Sequence, residues 1–228
     1  MKVKKYNTII WDWNGTLFND VAWCIEVLNS MLSKRNLKTV AGVPEYHSVF
    51  CFPVIEYYRK VGFDFSKEPF EVLAAEYIEK YHSDDRNKCS LFPGVSEVLL
   101  GIKDAGVPQV ILSASKMNYL EQQVNYFDIR DKFTELLGLS NFYAASKIDV
   151  GLEFIKRNSN TNAVLIGDTK HDYEVAKALG IDCILIPNGH QSRETLMSCG
   201  VSVLDNITDV PAFIYQRLIK LRAIDIIT

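Results

Sequence analysis

Short apolar runs alternate with amphipathic stretches along most of this chain. Four runs rich in Val, Ile and Leu have the character of strands buried on both faces, and they lie at residues 8–11, 109–112, 163–166 and 183–186. Stretches with the apolar spacing of helices accompany them, at residues 95–105, 119–126, 151–157 and 173–179. This alternation predicts an α/β fold, a doubly wound parallel sheet with helices on both faces.

Residues 18–89 break the alternation. Three helical patterns follow one another there without a convincing central strand, at about residues 21–34, 47–61 and 68–81. A polar return at residues 84–88 and a Phe92-Pro93-Gly94 turn then lead back to the strand-and-helix pattern. We therefore expect an α/β core of residues 1–17 and 90–228, with residues 18–89 inserted after the first strand as a helical cap, called the cap segment below.

Composition is that of an ordinary globular protein, with 48% hydrophobic and 23% charged residues in a chain of 228. The formal net charge is -3, and the nearest approach to a basic cluster is Lys34, Arg35 and Lys38. This cluster is too short to be a nucleic-acid footprint, so we expect no nucleic-acid partner. A small anionic substrate remains compatible with this balance.

Neither a signal peptide nor a membrane span is expected at the basic N-terminus, because Asp12 breaks the apolar run that follows it. The five cysteines show no C-x-x-C pairing, which favours reduced thiols and a cytoplasmic location. We expect a monomer or a weak homodimer.

Polar residues follow the first three predicted strands, at the point where each strand ends. They read Asp-Trp-Asn-Gly-Thr-Leu at 12–17, Ser-Ala-Ser-Lys at 113–116 and Gly-Asp-Thr-Lys-His-Asp at 167–172. In an open parallel sheet, ligands bind outside the carboxyl ends of the strands. All three segments are therefore expected to meet at one crevice.

The order of these segments resembles that of the motifs of the haloacid dehalogenase superfamily of phosphatases, in particular phosphoglycolate phosphatase-like members with a helical cap. Asp-x-Asn-Gly-Thr-Leu at 12–17 is similar to the first motif and Ser113 to the second. Lys147 is similar to the third, and Gly167-Asp168-x-x-x-Asp172 to the fourth. The resemblance spans nearly the whole chain and implies a Rossmann-like core.

This resemblance also implies a function. It makes the chain a Mg2+-dependent phosphatase of a small phosphorylated metabolite, with Asp12 as the nucleophile that forms an aspartyl phosphate. Phosphoglycolate is a candidate substrate by family analogy alone. The backbone carbonyl of Asn14 is then a magnesium ligand beside the carboxylates of Asp12, Asp168 and Asp172.

The chemistry of the residues agrees with that implication. A carboxylate approaches an anionic phosphoryl group only if a cation neutralises the charge. Asp12, Asp168 and Asp172 offer the hard oxygen ligands that magnesium prefers. Gly15 and Thr16 allow the backbone to fold back around a phosphate.

Several of these residues have a plainer interpretation beside the functional one. Asp168 on its own is read equally well as a helix cap, and Ser113 either donates to a phosphoryl oxygen or caps a helix. Ala114, Ser115 and Lys116 are expected as further phosphate contacts. Lys147 either neutralises the nucleophile and the phosphate or is a solvated surface lysine. It also lacks the proline that commonly follows this lysine in the family.

Asn14 is the clearest departure from the family pattern, in which this position is usually an aspartate that protonates the leaving group and then activates water. An amide cannot shuttle a proton, and the loss of a general acid–base typically costs about 10²–10⁴ in rate. Three outcomes are open: slow turnover that needs good leaving groups, an acid–base from the cap segment, or phosphate binding without efficient hydrolysis.

Other functions stay open at this stage. Asp-Trp-Asn-Gly-Thr also resembles the motif of phosphonoacetaldehyde hydrolase, which needs no aspartate at this position because a cap lysine forms a Schiff base. The candidate lysines are Lys34, Lys38 and Lys60. A phosphate-binding regulatory module is a further alternative, although mere binding would not call for Asp12. Dehalogenation explains less of the sequence than a phosphoryl substrate does.

Overall fold

Six parallel strands form the central sheet in the part of the chain that this computed structural model describes, residues 6–83, 88–140, 146–159 and 161–214. Their order across the sheet is β5 (Glu135–Leu139), β4 (Gln109–Lys116), β1 (Thr8–Trp11), β6 (Ala163–Gly167), β7 (Asp182–Leu185) and β8 (Ser202–Val203). The predicted N-terminal segment 1–5, residues 84–87 of the predicted polar return and the C-terminal limit of the predicted core lie outside the described residues.

Successive side chains of β1 point to opposite faces of the sheet, and each face is covered by helices. Ile9 and Trp11 pack in one core cluster with α5 (Val95–Asp104) and α6 (Met117–Tyr126). Ile10 packs in the other cluster, with α7 (Lys147–Arg157), α8 (Lys170–Leu179) and the short α9 (Arg193–Met197). The predicted doubly wound α/β fold is thereby confirmed.

Three strands of the sheet differ clearly from the prediction. The short edge strand β8 was not expected. β5 was not expected, and β4 continues four residues beyond the predicted end at Leu112, with a register shift against β5 between Leu112 and Lys116. Helix α6 then begins directly at Met117. The interpretation of Ser113 as a helix cap is therefore wrong, because the backbone around it is extended.

Four helices, not three, lie between the first and second strands of the sheet in the described residues. They are α1 (Val21–Lys34), α2 (Val43–Val49), α3 (Val54–Lys60) and α4 (Phe70–Ser83). The single helix predicted at 47–61 is divided because Pro53 lacks an N–H group and precedes the first helical residue of α3. These helices share a separate apolar cluster.

The cap segment joins the rest of the chain through two short strands that pair antiparallel, β2 (Phe18–Asn19) and β3 (Ser90–Leu91). The division of the chain into a core and a cap remains a prediction. All five cysteines are described, and none of them forms a disulfide. No described helix combines the length and apolarity that a membrane span needs.

Candidate active site

Three buried carboxylates meet at the carboxyl ends of β1 and β6. Asp12 follows β1, Asp168 follows β6, and Asp172 lies in the first turn of α8. One oxygen from each lies within 4.8 Å of the others. Since all three are almost inaccessible to solvent, their charges require compensation.

Glycines allow this close approach. Gly15 has a φ of +74°, and a Cβ atom there would lie 2.3 Å from Asp168 Oδ2. A Cβ atom on Gly189 would lie 2.1 Å from the same oxygen. Thr16 lies within hydrogen-bonding distance of both neighbouring carboxylates, at 3.1 Å from Asp168 Oδ1 and 3.3 Å from Asp12 Oδ2. The 12–17 loop thus folds back over the end of β6.

The start of α8 fixes Asp172. Thr169 is the N-cap of this helix. The backbone N–H and the hydroxyl of Thr169 donate hydrogen bonds to Asp172 Oδ2, at 3.0 and 2.7 Å. This capping box corrects the plainer interpretation of Asp168 as the cap. Asp168 instead accepts a 2.6 Å bond from the backbone N–H of His190.

Lys147 connects two of the carboxylates. Its side chain is 3% exposed, which excludes the solvated surface lysine. Its Nζ donates to Asp12 Oδ1 and, over 2.6 Å, to Asp172 Oδ1. Burial lowers the pKa of Lys147, but the two carboxylates outweigh this and raise it. Lys147 is therefore charged at neutral pH. Its side chain reaches the site although the proline that commonly follows this lysine in the family is absent here.

One lysine does not neutralise three carboxylates. Burial and repulsion from Asp172 raise the pKa of Asp12 to about 6 despite Lys147. Burial, with repulsion from Asp12 and Asp172, raises the pKa of Asp168 to about 8, although His190 opposes this. Burial also raises the pKa of Asp172, but the charge and hydrogen bond of Lys147 outweigh burial, so the pKa of Asp172 is lowered. A buried all-oxygen donor set with excess negative charge fits a hard divalent cation such as Mg2+.

The side chain of Asn14 is held at both ends. Its Oδ1 accepts a 2.8 Å bond from the Ser115 hydroxyl, and its Nδ2 donates to Asp20 Oδ2 and to the Tyr81 hydroxyl, each over 2.9 Å. Tyr81 also donates to Asp20 Oδ2 over 2.6 Å. Because a carboxylate only accepts, Asp20 requires the amino side of the Asn14 amide to face it.

A second buried charge pair adjoins this amide. His190 Nε2 lies 3.3 Å from Asp20 Oδ1, and His190 Nδ1 lies 2.9 Å from the Tyr46 hydroxyl. Burial lowers the pKa of His190, but Asp20 outweighs it and the pKa rises to about 9. Burial raises the pKa of Asp20, but the charge of His190 and the hydrogen bonds from His190, Tyr81 and Asn14 together outweigh burial and lower it. The pair is therefore ionised at neutral pH.

Sequence reasoning missed both members of this pair. His190 follows the end of β7, so the rule applied to the other strands would have identified it. Asp20 is the residue before α1, and no motif of the sequence distinguishes it from an ordinary helix-capping aspartate.

A cavity of about 330 Å³ opens between these residues and the cap segment. Eight of the predicted site residues line it, namely Asp12, Asn14, Ala114, Ser115, Lys116, Lys147, Asp168 and Asp172. Gly15, Thr16 and Ser113 are buried beside the lining residues and do not themselves line the cavity. Ser113 is buried, and its hydroxyl accepts a 3.0 Å bond from the backbone N–H of Ser115.

Lysines of the cap segment do not line this cavity where the structure describes them. Lys34 pairs with Glu76 at 3.2 Å, and Lys38 pairs with Glu45 at 2.7 Å. Lys60 is exposed at the end of α3 and is absent from the cavity wall. The geometry therefore does not support a Schiff base at any of the three candidate lysines.

One protein-family model and several known proteins match this chain. The model of the haloacid dehalogenase-like hydrolase family matches residues 9–186. Tyrosine-protein kinase PtkA of Mycobacterium tuberculosis (strain ATCC 25618 / H37Rv) is 24% identical over 205 residues, which are 89% of this chain and 69% of that protein. Phosphoglycolate phosphatase 1 of Pseudomonas aeruginosa is 22% identical over 148 residues, 63% of this chain and 54% of that protein.

Solved structures agree with the fold. The haloacid dehalogenase-like family hydrolase SP0104 from Streptococcus pneumoniae superposes with a TM-score of 0.78 at 18% identity, over 92% of this chain and 98% of that chain. Mycobacterium tuberculosis PtkA superposes with a TM-score of 0.77 at 22% identity, over 92% and 99%.

Proposed function

Since this chain belongs to the haloacid dehalogenase-like hydrolase family, we propose that it is a cytoplasmic, magnesium-dependent phosphatase of small phosphorylated molecules. The carrying observation is the buried cluster in which Asp12, Asp168 and Asp172 face one another beside Lys147. This arrangement combines a nucleophilic carboxylate with a place for a divalent cation.

Asp12, Asp168, Asp172 and the backbone carbonyl of Asn14 would hold the Mg2+ ion. When bound, Mg2+ supplies positive charge that offsets the repulsion between the phosphoryl group and the carboxylates. Lys147 contributes a fixed positive charge at the nucleophile, because its ammonium group contacts Asp12 directly.

The reaction then has two steps. The Asp12 carboxylate attacks phosphorus, the phosphorus–oxygen ester bond breaks, and the leaving group departs with the bonding electron pair. Water then attacks phosphorus of the aspartyl phosphate, which releases inorganic phosphate and restores the carboxylate. Two segments are proposed to contact the phosphoryl oxygens. The contacting residues are Ser113, Ala114, Ser115 and Lys116 in the first, and Gly15 and Thr16 in the 12–17 loop.

The cap segment is proposed to exclude water from this centre, and strands β2 and β3 are its two connections to the core. It contacts the core loop after β7 through several residues, among them Asp20, Tyr46 and His47. The Tyr46 hydroxyl contacts His190, and His47 Nε2 lies 2.9 Å from the Gly189 carbonyl oxygen.

Trapping the covalent intermediate tests this function. Borohydride reduces an aspartyl phosphate to homoserine, and we expect mass spectrometry to locate homoserine at position 12 after turnover of a phosphate ester with Mg2+. Asp12→Asn should abolish both turnover and trapping, while Asp104→Asn at an exposed position should change neither. Phosphate release at an undiminished rate from Asp12→Asn, or in excess chelator, would overturn the proposal.

A further inference from the structure

The cavity beside Asp12 is lined on one side by aromatic residues that have no part in the phosphatase reaction itself. We propose that this cavity receives the aromatic ring of an aryl phosphate, the phosphate monoester of a phenol, with the phosphoryl group at Asp12. The inference rests on the proposed function and names the class of substrate for the same site.

Aromatic side chains of the cap segment form the wall that faces the site. Among them are Tyr46, Phe50, Tyr57, Tyr58, Tyr77 and Tyr81. Phe50 stacks on Tyr46 with ring centroids 5.2 Å apart and meets Tyr57 edge-on, also at 5.2 Å. Rings held in such a cluster offer both faces and edges to a further ring at little entropic cost.

Charge in the cavity disfavours a second anionic group on the substrate. Of the cap-segment residues that the structure describes, no lysine or arginine lines the cavity. The titratable groups that face it from that side are Asp20, Cys24, His82 and the tyrosines. A carboxylate such as that of phosphoglycolate would lie among aromatic rings and near Asp20, where its desolvation is not compensated.

On the core side, Lys147, His190 and His171 have partners within the site. Lys147 is bonded to Asp12 and Asp172. Lys116 ends the strand whose residues are proposed to contact the phosphate. His190 pairs with Asp20, and His171 stacks on Phe52 with ring centroids 4.9 Å apart.

Asn14 points to the same class of substrate by a separate argument. Its amide is bonded to Ser115, Asp20 and Tyr81, and it has no proton to give to a departing alkoxide. A phenolate is a much weaker base than an alkoxide, so it departs without protonation. An aromatic cavity beside a residue that cannot act as an acid therefore suits a phenolic leaving group.

A set of three esters separates recognition of the ring from acidity of the leaving group. We would compare phenyl phosphate, the phosphate of a fluorinated isopropanol whose acidity matches that of phenol, and phosphoglycolate, with Mg2+ and phosphate release as the readout. We expect kcat/KM for phenyl phosphate to exceed that for the fluorinated ester by about 10-fold or more, because the aromatic wall makes ring-to-ring contacts with the phenyl group alone. Phosphoglycolate should be the poorest of the three.

A conservative variant links this preference to the cavity. Phe50→Leu keeps an apolar side chain and removes a ring, so it should raise KM for phenyl phosphate about 2- to 10-fold and raise KM for the fluorinated ester less. Phe65→Leu is the control, because Phe65 lies in the cap segment and packs against Phe70 away from the cavity.

The outcomes also distinguish this inference from the proposed function. If homoserine forms at position 12 but phosphoglycolate or the fluorinated ester is preferred, the phosphatase stands and the aryl substrate is wrong. An unchanged KM of Phe50→Leu for phenyl phosphate overturns the inference in the same way. If no ester is turned over and position 12 is never modified, both are overturned.

Discussion

Asn14 donates its side-chain amide to Asp20 Oδ2 over 2.9 Å, so the amide that stands where the family pattern has an aspartate is bonded to a buried carboxylate six positions later. The carboxyl group that the family pattern places at position 14 is therefore present nearby at Asp20. There it is held by Tyr81 and paired with His190.

Metal-free protein should lose stability as the pH rises from about 4 to about 8. The pKa values of Asp12 and Asp168 are raised to about 6 and about 8 in the folded protein, above the usual value near 3.9 in an unfolded chain. Their protonated forms stabilise the fold, fully so below the unfolded pKa, and this contribution is lost as the pH rises through the folded values. Mg2+ should restore stability most strongly at the upper end of this range.

Asp168→Asn tests that account. An amide at position 168 carries no charge and can still accept from the His190 backbone N–H. We expect thermal unfolding in chelator at pH 8 to move up by roughly 5 °C, and the stabilisation by Mg2+ to disappear. Asp104→Asn is the control, and a variant that is still stabilised by Mg2+ as strongly as wild type would remove Asp168 from the metal site.

Lys147→Met should be strongly destabilising. Removing one partner of a buried ion pair leaves charge without compensation and typically costs about 3–5 kcal/mol, here at Asp12 and Asp172. Chemical denaturation in chelator measures the loss. Lys156→Met, on the exposed side of the same helix, should cost little. Adding Asp12→Asn to Lys147→Met should recover part of the stability, and a purely additive effect would argue against a direct coupling.

His190 provides a prediction at alkaline pH. Its pKa is raised to about 9 in the folded protein, above the usual value near 6.5. The ion pair with Asp20 therefore contributes fully below about pH 6.5, and the contribution is lost as the pH rises through about 9. The stability difference between wild type and His190→Gln should shrink over that interval in unfolding experiments. If wild type exceeds His190→Gln in stability by the same amount at pH 7 and at pH 10, the charge of His190 does not contribute to the stability of the fold.

The sheet was predictable where strands are buried on both faces. The runs at 8–11 and 163–166 are continuous and rich in Ile, Val and Leu, and they became β1 and β6 in the middle of the sheet. β5 reads Glu-Leu-Leu-Gly-Leu, without a β-branched residue, and therefore has no distinctive strand signal. The division between α2 and α3 was also readable, because Pro53 interrupts the pattern.

The site was predictable wherever a residue follows a strand or belongs to a compact motif. Asp12, Asp168 and Asp172 satisfy that condition, and the structure brings them together. Tyr81 does not, because it reaches Asn14 only through the packing of α1 and α4. Asp20 is close to Asn14 in sequence but precedes α1, where an aspartate is read as an ordinary helix cap. Contacts between elements distant in sequence leave no local pattern, so the surroundings of Asn14 had to come from the structure.

Asn14→Asp should make the site a better phosphatase for alkyl esters. The new carboxyl group would face Asp20 Oδ2, where Asn14 Nδ2 now lies at 2.9 Å, and two carboxyl groups at that distance cannot both ionise readily. Residue 14 would therefore retain its proton near neutral pH, which is the state needed to protonate a leaving alkoxide. Turnover of ethyl phosphate should rise by up to about 10²–10⁴, and turnover of phenyl phosphate much less.

A second variant shows whether Asp20 is responsible for that protonation. In Asn14→Asp combined with Asp20→Asn, the amide at position 20 would donate to the carboxylate at position 14 and favour its ionised form. The gain for ethyl phosphate at neutral pH should then be smaller than in the single variant. Asn14 precedes Gly15 and is prone to deamidation, so mass spectrometry of this peptide must accompany each assay. Equal gains in the single and double variants would mean that Asp20 does not set the protonation of residue 14. If undeamidated wild type already hydrolyses ethyl phosphate as fast as Asn14→Asp, the amide at position 14 does not limit this site.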